Sequence, residues 1–274
     1  MSRPSGRSCS TRRVKIASIS DAARAAALCC ALVGVAWAGE DPIAGNPLLP
    51  IPAGPFVFGS DGGKENERPR QVVEGAAFAL NRTEITNAQY RRFVEETGHR
   101  SAFYGGHPFL GLDDRPVVGV SWEDADTFCR HYGLTLPSER EYERAARGAA
   151  GMKYPWGNAP ADASRANRGS DDCCGGDDAD GYAMTAPAES FPAGASPEGA
   201  LNLLGNVWEW TRDFYAPYEG EAPPDIAGKY RVLRGGSWNS DAEHLTTTYR
   251  LAYDPAFRFA ANGGFRCARL ASQS

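Results

Sequence analysis

The chain has few histidines. His99, His107, His131 and His244 are dispersed through its 274 residues, and no pair falls at His-x-x-x-His or a similar spacing. That pattern signals no preformed zinc or iron centre. The sequence has no internal repeat, which argues against a solenoid or blade array, and no linker that would split it into domains. Beyond residue 38 there is no apolar run long enough to span a bilayer. There is no basic surplus either: 29 Lys and Arg face 34 Asp and Glu, a formal charge of −5. An acidic chain of this kind is a poor nonspecific ligand for nucleic acid.

The first 38 residues read as a removable signal. Arg3, Arg7, Arg12, Arg13 and Lys15 form a positive start, Ala25 to Val35 is a short apolar run, and Ala36-Trp37-Ala38 fits a small-x-small cleavage site. The run is too short for a permanent anchor; the competing reading is a buried N-terminal helix. Cleavage removes six basic residues and one acidic residue and takes the charge from −5 to −10. Export to the periplasm or out of the cell is therefore expected. The four remaining cysteines, Cys129, Cys173, Cys174 and Cys267, are an even number, as disulfides in an exported protein allow.

What the chain does have is concentrated between Gly205 and Trp210. Within Gly205-Asn206-Val207-Trp208-Glu209-Trp210 stand two indoles, an acid, an amide and a glycine. A buried carboxylate needs a partner, and a buried indole needs an acceptor for its N–H. Two readings fit: Glu209 helps to hold a hard cation, or it lies in a core strand and meets Arg212 or another arginine.

The remaining elements follow in order. Residues 39–46 are a short lead-in. Ile51 to Gly59 reads as a short strand entered through turns, and Gln71 to Leu80 as a second strand. Three helices are predicted from caps and apolar spacing. The first is capped by Thr86, with Tyr90, Phe93 and Val94 on one face, and ends at Gly98. The second opens with a Ser121/Asp124 capping box, carries Ala125, Phe128, Cys129 and Tyr132 inward, and stops at Gly133. The third has a Ser138/Glu141 box and ends before Gly148. From Asp162 to Pro197 the chain is rich in Gly, Asp, Ala, Asn and Pro, a loop long enough to be functional or disordered. The reading is one α+β domain over 47–270, poor in regular secondary structure, with 271–274 as a tail.

Seven motifs occur in order: Pro52-Ala53-Gly54, Ser121-Trp122, Leu136-Pro137-Ser138-Glu139, Pro155-Trp156-Gly157-Asn158, Gly205 to Trp210, Arg234-Gly235-Gly236-Ser237-Trp238 and Gly264-Phe265-Arg266. Each is weak alone. Together they resemble the formylglycine-generating enzyme, or sulfatase-modifying factor, family across nearly all of the mature chain. The resemblance implies a single compact domain related to the C-type lectin fold. It also implies two structural calcium sites. Asn202, Gly205, Val207 and Glu209 match one, and Asn167, Arg168, Asp180 and Tyr182 match the other, the Gly, Val, Arg and Tyr positions acting through main-chain carbonyls. Oxygen-only ligands suit calcium; the plain alternative for Asp171 to Asp180 is a solvated acidic loop. The family counterparts of Cys129 and Cys267 form a disulfide, against which stands a pair of reduced core cysteines. Cys173-Cys174 is left open between a vicinal disulfide, soft metal ligands and two free thiols.

Members that make formylglycine oxidise a sulfatase cysteine with copper and oxygen, using two copper-binding cysteines shortly after the Arg-Gly-Gly-Ser motif. Here the first of those positions falls on Ser240, and Asp241 to Arg250 contain no cysteine. A soft copper(I) ion requires thiolates, so the specific activity is not expected and the identity of any redox metal is open. Ser237, Trp238, Ser240, His244 and Arg250 are the candidate pocket residues. Arg234, Arg250 and Arg266 are expected in core ion pairs, or else on an anionic ligand. Two functions fit: an oxidative or protein-modifying enzyme of another kind, acting on a peptide or protein, and a noncatalytic lectin-like binding protein.

Overall fold

A computed structural model describes residues 41–170, 177–258 and 260–271. The signal over 1–38, residues 39–40, the end of the tail and the Cys173-Cys174 pair lie outside the described residues. Among the described residues no helix is long and apolar enough to cross a membrane.

The predicted helices are present with the predicted caps. Helix α1 spans Asn87–Thr97 between Thr86 and Gly98, α2 spans Trp122–His131, and α3 spans Glu139–Arg147. Ser121 with Asp124 and Ser138 with Glu141 form reciprocal capping boxes; Thr86 completes a third with Gln89. Each box satisfies two otherwise orphaned donors at a helix start.

The strands are short and sort into three sheets. Strands β1 (Leu48–Ile51), β4 (Phe78–Asn81) and β9 (Ala268–Leu270) form an antiparallel sheet with β4 in the centre. Strands β2 (Gly54–Phe58) and β3 (Gln71–Gly75) form an antiparallel ribbon. The third sheet runs in the order β7 (Arg250–Tyr253), β6 (Arg231–Arg234), β5 (Trp208–Phe214), β8 (Gly263–Gly264), with β8 parallel to β5.

The stretch 51–59 holds one whole strand, β2, after the last residue of β1, whereas 71–80, read as one strand, is broken in two. Pro52 and Ala53 separate β1 from β2, and Ala76 and Ala77 separate β3 from β4. At each break the chain changes sheet, and alternation of apolar residues carries no record of a change of partner. Ile43 and Asn46 are buried, so the lead-in packs into the body; the Asn46 amide bonds the Thr83 backbone in both directions.

One core lies between α1, α2 and the sheet around β5. Tyr90, Phe93, Phe128, Trp208, Trp210 and Phe265 pack there, with Tyr90 stacked on Phe128 at 5.9 Å between ring centroids. A second lies between α3 and the sheet of β1, β4 and β9, where Tyr142, Ala145 and Ala146 meet Ile51, Phe78 and Leu80. A disulfide joins Cys129 of α2 to Cys267 beside β9, the pairing expected from the family.

Candidate functional site

The site grows from the irregular chain leading into β5. Asn202 and Asn206 adopt positive φ, 55° and 62°, and Gly205 stands between them at 84°. A Cβ at Gly205 would lie 2.2 Å from the Asn167 carbonyl oxygen, so only glycine fits. This close approach brings Asn167 and the Asn202–Glu209 stretch together: the Asn206 N–H donates to the Asn167 carbonyl at 2.8 Å, and the Asn167 amide donates to Asn206 Oδ1 at 3.1 Å.

Glu209 is fully buried in β5. Its carboxylate is held bidentately along one edge of a guanidinium, Arg266 Nε to Oε2 at 2.7 Å and Nη2 to Oε1 at 2.8 Å, and Tyr142 Oη lies 3.3 Å from Oε1. The partner is thus Arg266, not the neighbouring Arg212, which pairs with Glu141. Arg266 also donates to the carbonyls of Arg82 and Leu201. Sequence reading missed Glu84, which completes this centre. It accepts from Asn206 Nδ2 at 2.9 Å and from Asn202 Nδ2 at 3.2 Å. Burial raises Glu84 to about pH 7; Arg266 opposes that rise and Glu209 adds to it. Burial also raises Glu209, against the pull of Arg266.

The donor atoms named for calcium can be checked against this geometry. Asn167 Oδ1 and Asn202 Oδ1 are buried oxygens with no hydrogen-bond partner among the described residues. A buried acceptor left unmatched is costly, and each lies in one of the two expected ligand sets. Asp180 is half-buried and accepts from the Arg168 and Tyr182 N–H groups at 3.1 and 2.9 Å. Burial holds its carboxyl above the usual range, with those two bonds opposing. In the Asn167, Arg168, Asp180, Tyr182 set, Asn167 offers an unmatched oxygen and Asp180 a half-buried carboxylate, donor types that suit an oxygen-seeking cation. In the Asn202, Gly205, Val207, Glu209 set, Asn202 fits, whereas Glu209 already shares its charge with Arg266. Among the described residues no group of three or more His, Cys, Asp or Glu is placed to hold a metal.

A second layer of ion pairs carries the strand ends. Glu139 of α3 receives Arg250 through Nε at 2.7 Å and Nη2 at 2.6 Å, and Arg234 Nη1 at 3.0 Å. Arg234 Nη2 reaches Glu143 at 2.6 Å. Tyr218 lies under Arg250 at 4.2 Å and contacts Arg234. Arg250, a pocket candidate from sequence, is engaged by Glu139 and by the Asn66 and Ala216 carbonyls.

The other candidates meet in the loop after β6. Gly235 has φ 99°, and a Cβ there would lie 2.6 Å from Tyr142 Oη, so glycine lets the chain turn over α3. Ser237 and Ser240 are buried, their hydroxyls 3.2 Å apart, and the Ser237 N–H donates to Ser240 Oγ at 3.0 Å. Asn262 donates to Ser237 Oγ at 3.3 Å and to Asn239 Oδ1 at 2.9 Å. Trp238 Nε1 donates to the Ala261 carbonyl at 3.2 Å. His244 follows closely, since a Cβ on Gly236 would come 3.3 Å from its carbonyl oxygen. Its Nδ1 is 2.6 Å from Asp241 Oδ1, and its ring packs edge-on to Tyr249, which in turn tilts against Trp208 at 5.8 Å. Burial pushes the Asp241 carboxyl up, but the His244 bonds outweigh it and hold it below the usual range. A small cavity of about 110 Å³ opens between Trp208, Trp210, Tyr253 and Asn262. Asn262, Asn239 and Asp241 were not singled out from sequence; the position of Asn262 directly before Gly263-Gly264-Phe265-Arg266 was the available signal.

The donors do not fit thiolate-bound copper. Ser240 supplies a high-pKa hydroxyl, and the described cysteines, Cys129 and Cys267, are bonded to each other.

Comparison with known proteins agrees with this architecture. The profile of the sulfatase-modifying factor enzyme 1-like domain matches residues 39–271, and the chain belongs to that family. It is 32% identical over 252 residues to hercynine oxygenase of Mycolicibacterium smegmatis, covering 73% of this chain and 56% of the relative. The chain thus spans little more than half the length of that relative. It is 32% identical over 277 residues to the inactive C-alpha-formylglycine-generating enzyme 2 of Mus musculus, covering 82% and 86% respectively. The solved structure of PvdO from Pseudomonas aeruginosa aligns with TM-score 0.68 at 25% identity, over 81% of this chain and 94% of that one.

Proposed function

We propose that this chain is an exported family member that does not make formylglycine, and that it carries out a different oxidative or protein-modifying reaction at the Ser237–His244 loop. The observation that carries this reading is the hydroxyl and amide network of Ser237, Ser240, Asn239 and Asn262, in which Ser240 stands at the first position where the family's reaction requires a thiolate. Beside it, Asp241 holds Nδ1 of His244, which fixes the ring and leaves Nε2 as the atom that exchanges a proton. The aromatic wall of Trp208 and Tyr249 next to this dyad suits a peptide or protein segment.

Structural calcium belongs to the same proposal. The unpartnered Oδ1 atoms of Asn167 and Asn202 support it. Calcium binding to the native state raises stability by mass action. A chelator is expected to lower the melting temperature, and Asp180→Ala to remove most of that response. An unchanged melting curve, in protein shown by elemental analysis to hold no trapped calcium, counts against it.

A noncatalytic binding protein is the second reading. It is favoured by the mouse relative named inactive, which this chain matches over 86% of that relative's length. Metal analysis of purified protein, combined with mass spectrometry of a peptide mixture after incubation, separates the two. A stoichiometric redox metal and a peptide mass change support the enzyme. Calcium alone, with peptide retained but unmodified, supports the binder and overturns the first reading.

A further inference from the structure

A polar cleft of about 620 Å³ adjoins the Ser237–His244 loop, between the loop before the 3-10 turn Glu65–Glu67, the chain after α3 and the segment 242–248. Its volume is that of a small-ligand site, roughly 300–1,000 Å³. Three cations line it: Lys64, Arg147 and Lys153. The two acids beside them are already engaged. Glu67 is 3% exposed, and its Oε2 accepts from Thr248 Oγ1 at 2.5 Å. Glu243 is an exposed side chain whose Oε1 lies 3.1 Å from Lys64 Nζ.

The cationic side is less completely matched. The Arg147 Nη atoms donate to the Gly59 and Gly151 carbonyls and to Glu143, but its Nε is buried with no hydrogen-bond partner among the described residues. The Lys153 ammonium lies 5.2 Å over the Tyr154 ring and has no carboxylate partner among the described residues. Glu243 shows which group suits Lys64: the chain places its own carboxylate there. An exposed pair of this kind contributes little to stability, so a ligand oxyanion can exchange for it.

We propose that this cleft binds a small ligand through a carboxylate or phosphate-type oxyanion held by Lys153 and Lys64, with Glu243 acting as an internal competitor. Glu243 belongs to the Ser237–His244 loop, but the inference does not draw on the chemistry assigned to that loop. The test is calorimetric titration of the full chain with succinate, inorganic phosphate and sulfate in turn, for wild type, Lys153→Gln and Glu243→Gln. Both substituted residues are exposed, and unchanged melting curves verify the fold. Saturable binding of at least one probe is expected, weakened about tenfold by Lys153→Gln, as for loss of a charge-assisted bond. Glu243→Gln is expected to bind several-fold more tightly. Preference for succinate identifies a carboxylate ligand; preference for phosphate or sulfate identifies a tetrahedral oxyanion. The proposal is overturned if no probe saturates up to about 20 mM, far above a millimolar dissociation constant. It is equally overturned if Lys153→Gln binds as wild type does, or if Glu243→Gln fails to bind more tightly.

Discussion

At the residue scale, buried charge is managed by arginine. Arg266 satisfies Glu209 with one edge of its guanidinium, its remaining hydrogen bonds go to main-chain carbonyls, and its Nη2 lies 4.0 Å from Glu84. Breaking such a pair strands a charge in the core. Arg266→Met is expected to cost about 3–5 kcal/mol, measured by denaturant unfolding, with Glu209→Gln added to it recovering part of the loss. A double-variant loss equal to the sum of the two single losses would show that the two side chains act independently. That Glu209 needed a cation was legible in the sequence, because two tryptophans flank it. Which arginine answers was not, since Arg266 is 57 residues away and only the parallel pairing of β5 with β8 brings it near. Glu84 was invisible for the same reason: nothing local marks an acid whose neighbours, Asn202 and Asn206, are more than a hundred residues distant.

Asp124 gives the residue scale a pH dependence. It caps α2 through the Ser121 N–H, and meets His99 at 2.9 Å and Arg100 at 2.6 Å. Burial pushes its carboxyl up, but Arg100, Ser121 and His99 together outweigh that and hold it below the usual range. A carboxyl depressed in the folded state stabilises fully above its unfolded pKa, and that contribution is lost as pH falls through the folded value. Asp124→Asn is therefore expected to destabilise at neutral pH, by about 1–3 kcal/mol for a buried bonded acceptor, with the difference from wild type shrinking on acidification. A pH-independent difference in melting temperature would contradict the linkage.

At the element scale, the helices were legible and the strands only partly so. A capping box is a local device, Ser121 with Asp124 and Ser138 with Glu141, so four residues are enough to read it. A strand in this fold is defined by a partner elsewhere. Residues 71–80 alternate like one strand but serve two sheets, because β4 leaves the ribbon to pair with β1 and β9. The disulfide is the covalent form of that long-range order, joining α2 to the edge of β9 across 138 residues. Replacing Cys129 and Cys267 with alanine together is expected to cost about 2–5 kcal/mol. Equal midpoints of chemical unfolding for the variant and the oxidised wild type would show that the packing of α2 against Phe265 suffices without the bond.

At the scale of the whole molecule, the framework of the family and the chemistry of its reaction separate. Glycines, asparagines and arginines that shape the centre are all in place: Gly205 under Asn167, Gly235 over Tyr142, Arg234 and Arg266 on buried acids. These residues hold the Ser237–Ser240 loop whatever the loop then does. The thiolates are absent from that loop, and the hydroxyl at Ser240 bonds the Ser237 N–H, as a loop-forming residue does. A serine hydroxyl has little affinity for copper(I). The chain is thus expected not to convert cysteine to formylglycine in a sulfatase-type peptide supplied with copper, reductant and oxygen, with the product read by mass spectrometry. A Ser240→Cys variant alone is expected to remain inactive, because a two-thiolate site also needs a second sulfur and Asp241 to Arg250 supply none. Catalytic turnover by the wild type would reverse this reading. If that turnover vanished in a Cys173→Ser/Cys174→Ser variant, the vicinal pair would be identified as the source of the missing thiolates.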